Sequence, residues 1–311
     1  MSFTLFPDAR GALAADSLAG LSVGDALGAQ FFVPYPRDAF GFPPRVGSGA
    51  AAEDLPAPPW PWTDDTEEAC CLVATLAEGD FDRDTFAELL GRHHDPYRGY
   101  GPGAVVVLRE IREGLPWPIA AASAFDGQGS SGNGAAMRAA PLGAWHADSI
   151  AHAAAQAQRA AEVTHAHPEG IAGGVAVAVA ASLAAAARLD GHRPEPAQLL
   201  AAVARQVQPG HVRDGLHEAV RITGRAAAAD RLGSGERAMA QDTVPFALWV
   251  AARYLDDYPS AIAACVDAGG DVDTTCAIAG GVVAAHTGTD GIPRRWLAAR
   301  EPLPGWLRVT Y

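Results

Sequence analysis

The chain has 311 residues, is 49% hydrophobic and carries a formal net charge of −13. That acidity excludes non-specific nucleic-acid binding, which rests on Lys and Arg neutralising phosphates. It also means that an anionic ligand must be met by local devices such as helix N-termini, an Arg or metal ions.

Strand signals are scarce, whereas helical patterns recur along the chain. The apolar spacing predicts helices over 9–30, 65–78, 83–93, 103–113, 147–164, 168–189, 196–206, 213–229, 243–255, 258–267 and 273–286. Asp82 is read as the cap of the third helix, Pro168 as the first-turn proline of the sixth, and Asp242 or Thr243 as the start of the ninth. Length alone would permit two domains. No linker separates two hydrophobic patterns, however, so residues 1–311 are read as one all-α domain. A Pro-rich stretch from Val33 to Trp62 is long enough to be a functional loop or lid. A second loop, Phe125 to Asn133, is rich in Gly and Ser.

The uncharged run from Gly170 to Ala187 approaches the length of a membrane span. It consists mostly of Ala, Gly and Val and is flanked by Glu169 and Arg188, so it reads as a buried bundle helix. The first residues lack the basic start and apolar core of a signal peptide. Cys70, Cys71, Cys265 and Cys276 form no C-x-x-C pair and read as small buried hydrophobes. Both features lead to the expectation of a reducing, cytoplasmic setting.

Two acidic motifs carry the chemistry. Thr63-Asp64-Asp65-Thr66 follows Trp60-Pro61-Trp62, and Asp271-Val272-Asp273-Thr274-Thr275 follows Gly269-Gly270. Each opens a segment that is almost wholly apolar. Helix capping accounts for one acid per motif. Two acids at each of two buried helix mouths are costly unless a cation neutralises them. Carboxylate and hydroxyl oxygens are hard donors, suited to Mg²⁺, Mn²⁺ or Ca²⁺ rather than zinc. The number of acids is enough for two ions.

These motifs, with three others in order, resemble the ADP-ribosylglycohydrolases. The others are Gly20-Leu21-Ser22-Val23-Gly24-Asp25-Ala26-Leu27-Gly28, Gly132-Asn133-Gly134-Ala135-Ala136-Met137-Arg138-Ala139-Ala140-Pro141-Leu142-Gly143 and Thr164-His165-Ala166-His167-Pro168-Glu169-Gly170. The resemblance implies a single-domain orthogonal helical bundle with a central binuclear metal cleft. It implies two divalent cations, Mg²⁺ or Mn²⁺, on Thr63, Asp64, Asp65, Asp271, Asp273 and Thr274, with Asp64, Asp65 and Asp273 as the catalytic carboxylates. The loop Gly129, Ser130, Ser131, Gly132, Asn133 and Gly134 would point N–H groups at a diphosphate. His165 would face the substrate, and His167 reads as structural. The implied reaction is hydrolysis of an N- or O-glycosidic bond between ADP-ribose and a modified protein side chain or small aglycone. The expected partner is therefore an ADP-ribosylated protein or small ADP-ribose conjugate, met by a monomer with no nucleic-acid or membrane partner.

Several positions stand apart. Many members of this family carry a flap Glu where this chain has Phe32, which is read here as a substrate contact. Glu67 and Glu68 replace uncharged residues and are expected to point to solvent. Asp25 is explained by close helix packing, and Arg138 is read as a surface residue. Tyr97 and Tyr100 are placed at the cleft rim beside Phe32. The competing readings are a non-catalytic ADP-ribose-binding relative and a metal-dependent phosphohydrolase.

Overall fold

The computed structural model describes residues 4–32, 55–79 and 81–308. In chain order the helices are α1 (Pro7–Phe32), α2 (Asp64–Ala77), α3 (Arg83–His93), α4 (Pro102–Arg112), α5 (Trp117–Gly127), α6 (Gly134–Met137), α7 (Ala140–Trp145) and α8 (Ile150–Glu162). They continue as α9 (Pro168–Leu189), α10 (Pro196–Ala204), α11 (His211–Ala219), α12 (Arg225–Leu232), α13 (Ala240–Arg253), α14 (Tyr258–Ala268), α15 (Val272–Thr287) and α16 (Arg294–Ala299). Two short 3-10 turns accompany them. Among the described residues there is no β-strand. The only bridges among the described residues are Trp60 with Arg300 and Gly132 with Met239.

The helix starts follow side-chain chemistry. Thr63, Asp82, Ser149 and Asp257 each accept a backbone N–H from the first turn they precede, and proline occupies the first turn of α4, α9, α10 and α14. The expected start at Asp242 or Thr243 falls inside α13. Asp242 sits in the first turn and its carboxylate accepts the Met239 and Arg237 N–H groups, each at 3.1 Å. The expected helix over 213–229 is two helices, α11 and α12. The chain turns between them so that the Ile222 carbonyl accepts the Trp249 indole N–H at 2.9 Å. Helices α5, α6, α7 and α16 are short or rich in Pro and Gly, and they escape the periodic pattern.

Helix α9 is central. It is long and apolar enough to cross a membrane, yet 83% of its apolar window is buried inside the protein, as expected for a bundle core. All four cysteines are buried and unpaired. Most of the Pro-rich Val33–Trp62 stretch, including 33–54, lies outside the described residues, as does the side chain of Phe32.

The contact that places everything else is α1 against α15. A Cβ at Gly24 would lie 2.3 Å from the Cys276 carbonyl oxygen, and one at Gly28 would lie 2.8 Å from the Cα of Asp273. Only residues without a side chain permit this backbone-to-backbone approach. It brings Asp25 on α1 close to the acidic mouth of α15. Gly24→Val should therefore lower the unfolding free energy by about 2 kcal/mol or more in urea denaturation. An unchanged midpoint would contradict this packing.

Candidate active site

The segment before α2 is fixed from both sides. The Trp60 N–H donates to the Ala299 carbonyl at 2.7 Å, and the Glu301 N–H donates to the Trp60 carbonyl at 2.8 Å. The Trp62 indole donates to the Pro302 carbonyl at 3.2 Å. Arg98 lies over the Trp62 ring at 3.4 Å and pairs with Glu301. The next residue, Thr63, is held from the opposite direction by Asp25. The Asp25 carboxylate, fully buried, accepts the Thr63 N–H at 2.9 Å, the Thr63 hydroxyl at 2.7 Å and the Thr66 N–H at 3.2 Å, together with the Thr66 hydroxyl. Asp25 is thus more than a packing residue: it orients the turn that carries Asp64 and Asp65.

The second acidic turn hangs on Gly269 and Gly270, both with positive φ. The Asp271 N–H donates to the Ser234 carbonyl at 3.0 Å. The Asn133 amide donates to Asp271 Oδ2 at 2.6 Å and to the Thr243 hydroxyl at 3.1 Å. The two turns meet where the Thr274 hydroxyl donates to Asp65 Oδ1 at 3.4 Å. Asp65 Oδ2 is buried without a hydrogen-bond partner.

Burial raises the pKa of Asp64, Asp65 and Asp273 well above the ordinary carboxylate range, and neighbouring carboxylates push in the same direction. Glu68 and Asp273 act on Asp64, Asp25 and Asp273 act on Asp65, and Asp271 acts on Asp273. Asp271 is raised by burial as well, with the Asn133 hydrogen bond opposing it. Such mutual repulsion in a water-poor site is what a cation relieves. Among the described residues no three His, Cys, Asp or Glu side chains converge as a ready ligand set. The donors nevertheless suit a hard cation: they are carboxylate and hydroxyl oxygens, one of them an orphaned carboxylate oxygen.

The Gly-Ser loop adjoins this cluster through Asn133. Three of its amides are already engaged: Gly129 N–H donates to the Ala124 carbonyl, Gly132 N–H to the Ser130 hydroxyl and Asn133 N–H to the Ala238 carbonyl. Among the described residues, the Ser130 and Ser131 N–H groups have no such acceptor. The Gly134 N–H, at the start of α6, likewise has no backbone acceptor. Helix α6, which follows the loop, is a single turn. His165 stands over the loop, since a Cβ at Gly134 would come within 3.4 Å of its Nε2. His167 is structural, and its Nδ1 accepts the Glu169 N–H at the start of α9.

Other expectations need correction. Glu67 and Glu68 are buried rather than solvent-facing, and Arg138 is among the most buried large side chains of the protein. Apolar packing forces these charges to pair: Arg138 with Glu68 at 2.5 Å, and Glu67 with the Tyr100 hydroxyl at 2.7 Å and the Asp95 N–H at 2.9 Å. Tyr100 is accordingly buried, while Tyr97 is 94% exposed. The sequence offered only a weak signal for these residues, namely charges inside otherwise apolar helices.

Comparison with known proteins gives the class to which this helical bundle belongs. The chain belongs to the ADP-ribosylglycohydrolase family, whose model matches residues 7–309. It is 26% identical over 329 residues to the ADP-ribosylhydrolase ARH3 of Mus musculus, covering 91% of this chain and 86% of that protein. It is 27% identical over 316 residues to the ADP-ribosylarginine hydrolase Tri1 of Pseudomonas putida, covering 94% of this chain and 76% of that one. A solved structure described as an ADP-ribosylglycohydrolase-related protein complex superposes with a TM-score of 0.67 at 29% identity, covering 94% of this chain and 93% of that one.

The crowding of carboxylates has a measurable consequence. A carboxyl whose pKa is raised in the folded state costs stability at neutral pH, where the unfolded chain is free to ionise it. Asp65→Asn should therefore raise the thermal midpoint in EDTA and reduce the stabilisation produced by Mn²⁺. A lower midpoint in EDTA, with the Mn²⁺ response intact, would show that Asp65 is not strained by its neighbours.

Proposed function

We propose that this hydrolase cleaves the N- or O-glycosidic bond joining ADP-ribose to a modified protein side chain or small aglycone, assisted by two divalent cations, Mg²⁺ or Mn²⁺. The observation that carries the reading is the 2.6 Å bond from Asn133 to Asp271, which sets the Gly-Ser loop against the acidic turns. An ADP-ribose has an anionic diphosphate and a ribose next to the scissile bond. A site with N–H donors on one side and paired carboxylates on the other matches both parts. The names of the relatives, hydrolases of ADP-ribosyl and ADP-ribosylarginine groups, support the same substrate class.

In this reading Thr63, Asp64, Asp65, Asp271, Asp273 and Thr274 hold the cations. Bound divalent ions would supply charge to the sugar oxygens and lower the pKa of a nearby water. The remaining work falls to the chain. Asp25 fixes the first acidic turn so that Asp64 and Asp65 keep their places. Asn133 fixes Asp271. One of Asp64, Asp65 and Asp273 would orient the attacking water and take its proton. The uncommitted amides of the loop, those of Ser130, Ser131 and Gly134, would meet the diphosphate, as a protein with an overall negative charge requires. The buried, unpaired thiols support a reducing, cytoplasmic setting.

The test is turnover of ADP-ribosyl-arginine peptide, ADP-ribosyl-serine peptide and O-acetyl-ADP-ribose with Mg²⁺, with Mn²⁺ and with EDTA. ADP-ribose release from at least one substrate, abolished by EDTA, is expected. Asp64→Ala and Asp273→Ala should each abolish that release while the far-ultraviolet circular dichroism stays unchanged. ADP-ribose binding without release from any substrate would favour a non-catalytic binder. Full activity in both variants would remove the acidic turns from the mechanism.

A further inference from the structure

A second polar network runs beneath the Gly-Ser loop, and the reaction as described does not use it. Glu68, one turn along α2 from Asp64, accepts from Arg138 Nη1 at 2.5 Å. Arg138 Nη2 donates to the Ala160 carbonyl at 3.1 Å and to the Thr164 hydroxyl at 2.8 Å. The Thr164 hydroxyl in turn lies 2.8 Å from His165 Nδ1. All four side chains are buried.

The direction of the last bond follows from the donors available. A guanidinium only donates, so the Thr164 oxygen is the acceptor in its contact with Arg138. The hydroxyl has one proton. Among the described residues, the only other acceptor within hydrogen-bonding distance of it is His165 Nδ1. The opposite assignment, with Nδ1 donating, would leave a buried hydroxyl proton without a partner, which costs a full desolvation penalty. Nδ1 is therefore the acceptor and the ring proton sits on Nε2. Burial, helped by the Arg138 charge, pushes the His165 pKa down to about 3, so the ring is neutral at physiological pH. Nε2 faces the loop: a Cβ at Gly134 would be 3.4 Å from it and one at Gly132 would be 3.9 Å away.

We propose that Glu68, Arg138 and Thr164 form a positioning relay that holds His165 as a neutral imidazole with its proton on Nε2, presenting one fixed hydrogen-bond donor to an anionic oxygen of the nucleotide sugar at the Gly132–Gly134 turn. The ligand class rests on the ADP-ribose reading above; the tautomer does not. The relay gives His165 a binding role rather than an acid–base one. An uncharged donor also suits a site whose cations are supplied elsewhere. Glu68 balances the Arg138 charge in the core and links the relay to the helix that carries Asp64 and Asp65.

The experiment is nitrogen-15 NMR of the histidine rings in the full-length protein, with His165→Gln used to assign the signal, alongside calorimetric titration of ADP-ribose. The wild type is expected to show the Nε2–H pattern, with Nδ1 unprotonated. Thr164→Val should lose that pattern and bind ADP-ribose about tenfold more weakly, the size expected for one hydrogen bond to a charged group. Thr164→Ser should restore both. A wild-type ring protonated on Nδ1, or on both nitrogens, overturns the relay by itself, even if Thr164→Val does not fold. An unaltered ring pattern in Thr164→Val also overturns it, and so does unchanged ADP-ribose affinity in a variant whose pattern is lost. If the wild type has the Nε2–H pattern but binds no ADP-ribose, the ligand reading fails while the tautomer lock stands.

Discussion

The structure depends on one buried carboxylate. Asp25 is fully enclosed and has no cationic partner among its contacts; its charge is met by the N–H groups and hydroxyls of Thr63 and Thr66. Burial raises its pKa and those hydrogen bonds oppose the shift. The arrangement holds only if α1 lies against the start of α2 and also against α15. Gly24 and Gly28 provide the second condition by letting α15 approach the α1 backbone. Asp25 and these two glycines thus together set the spacing between two acidic turns that are far apart in sequence.

The consequence is a site rich in uncompensated negative charge. Asp64, Asp65 and Asp273 sit where burial and their neighbours resist ionisation, and Asp271 where burial does so against the hydrogen bond from Asn133. A fold tolerates this when the crowding serves a ligand, because native stability is only a small surplus over opposing terms. Several other buried carboxylates are met by donors. Glu68 meets Arg138, Glu169 accepts the His211 and Val212 N–H groups, and Asp242 accepts from Met239. The acidic turns stand out because Asp64, Asp65 and Asp273 crowd one another with no cationic side chain between them.

The sequence made some of this legible and concealed the rest. The acidic turns could be read because each is a short, local pattern at the mouth of an apolar helix. The helical class was visible from periodicity, and the burial of α9 from its small residues. The role of Asp25 was hidden because its partners lie 38 and 41 positions away. Glu68 and Arg138 are separated by 70 positions, and each looked like a surface charge. Tyr100 was misplaced for the same reason, since its buried hydroxyl is satisfied by Glu67. Helices α5 to α7 were missed because Gly and Pro interrupt the pattern, and Phe125 and Asp126 at the end of α5 adopt positive φ.

In the proposed reading α2 and α15 build one binuclear cation site between them, not two separate capped helix ends. Calorimetric titration of Mn²⁺ into the wild type, Asp64→Ala and Asp271→Ala tests it most directly. The account predicts that a substitution on either turn weakens the same binding event, so that both variants lose most of the heat seen with the wild type. Mn²⁺ binding that survives unchanged in both variants, or that responds to one turn and ignores the other, would contradict it.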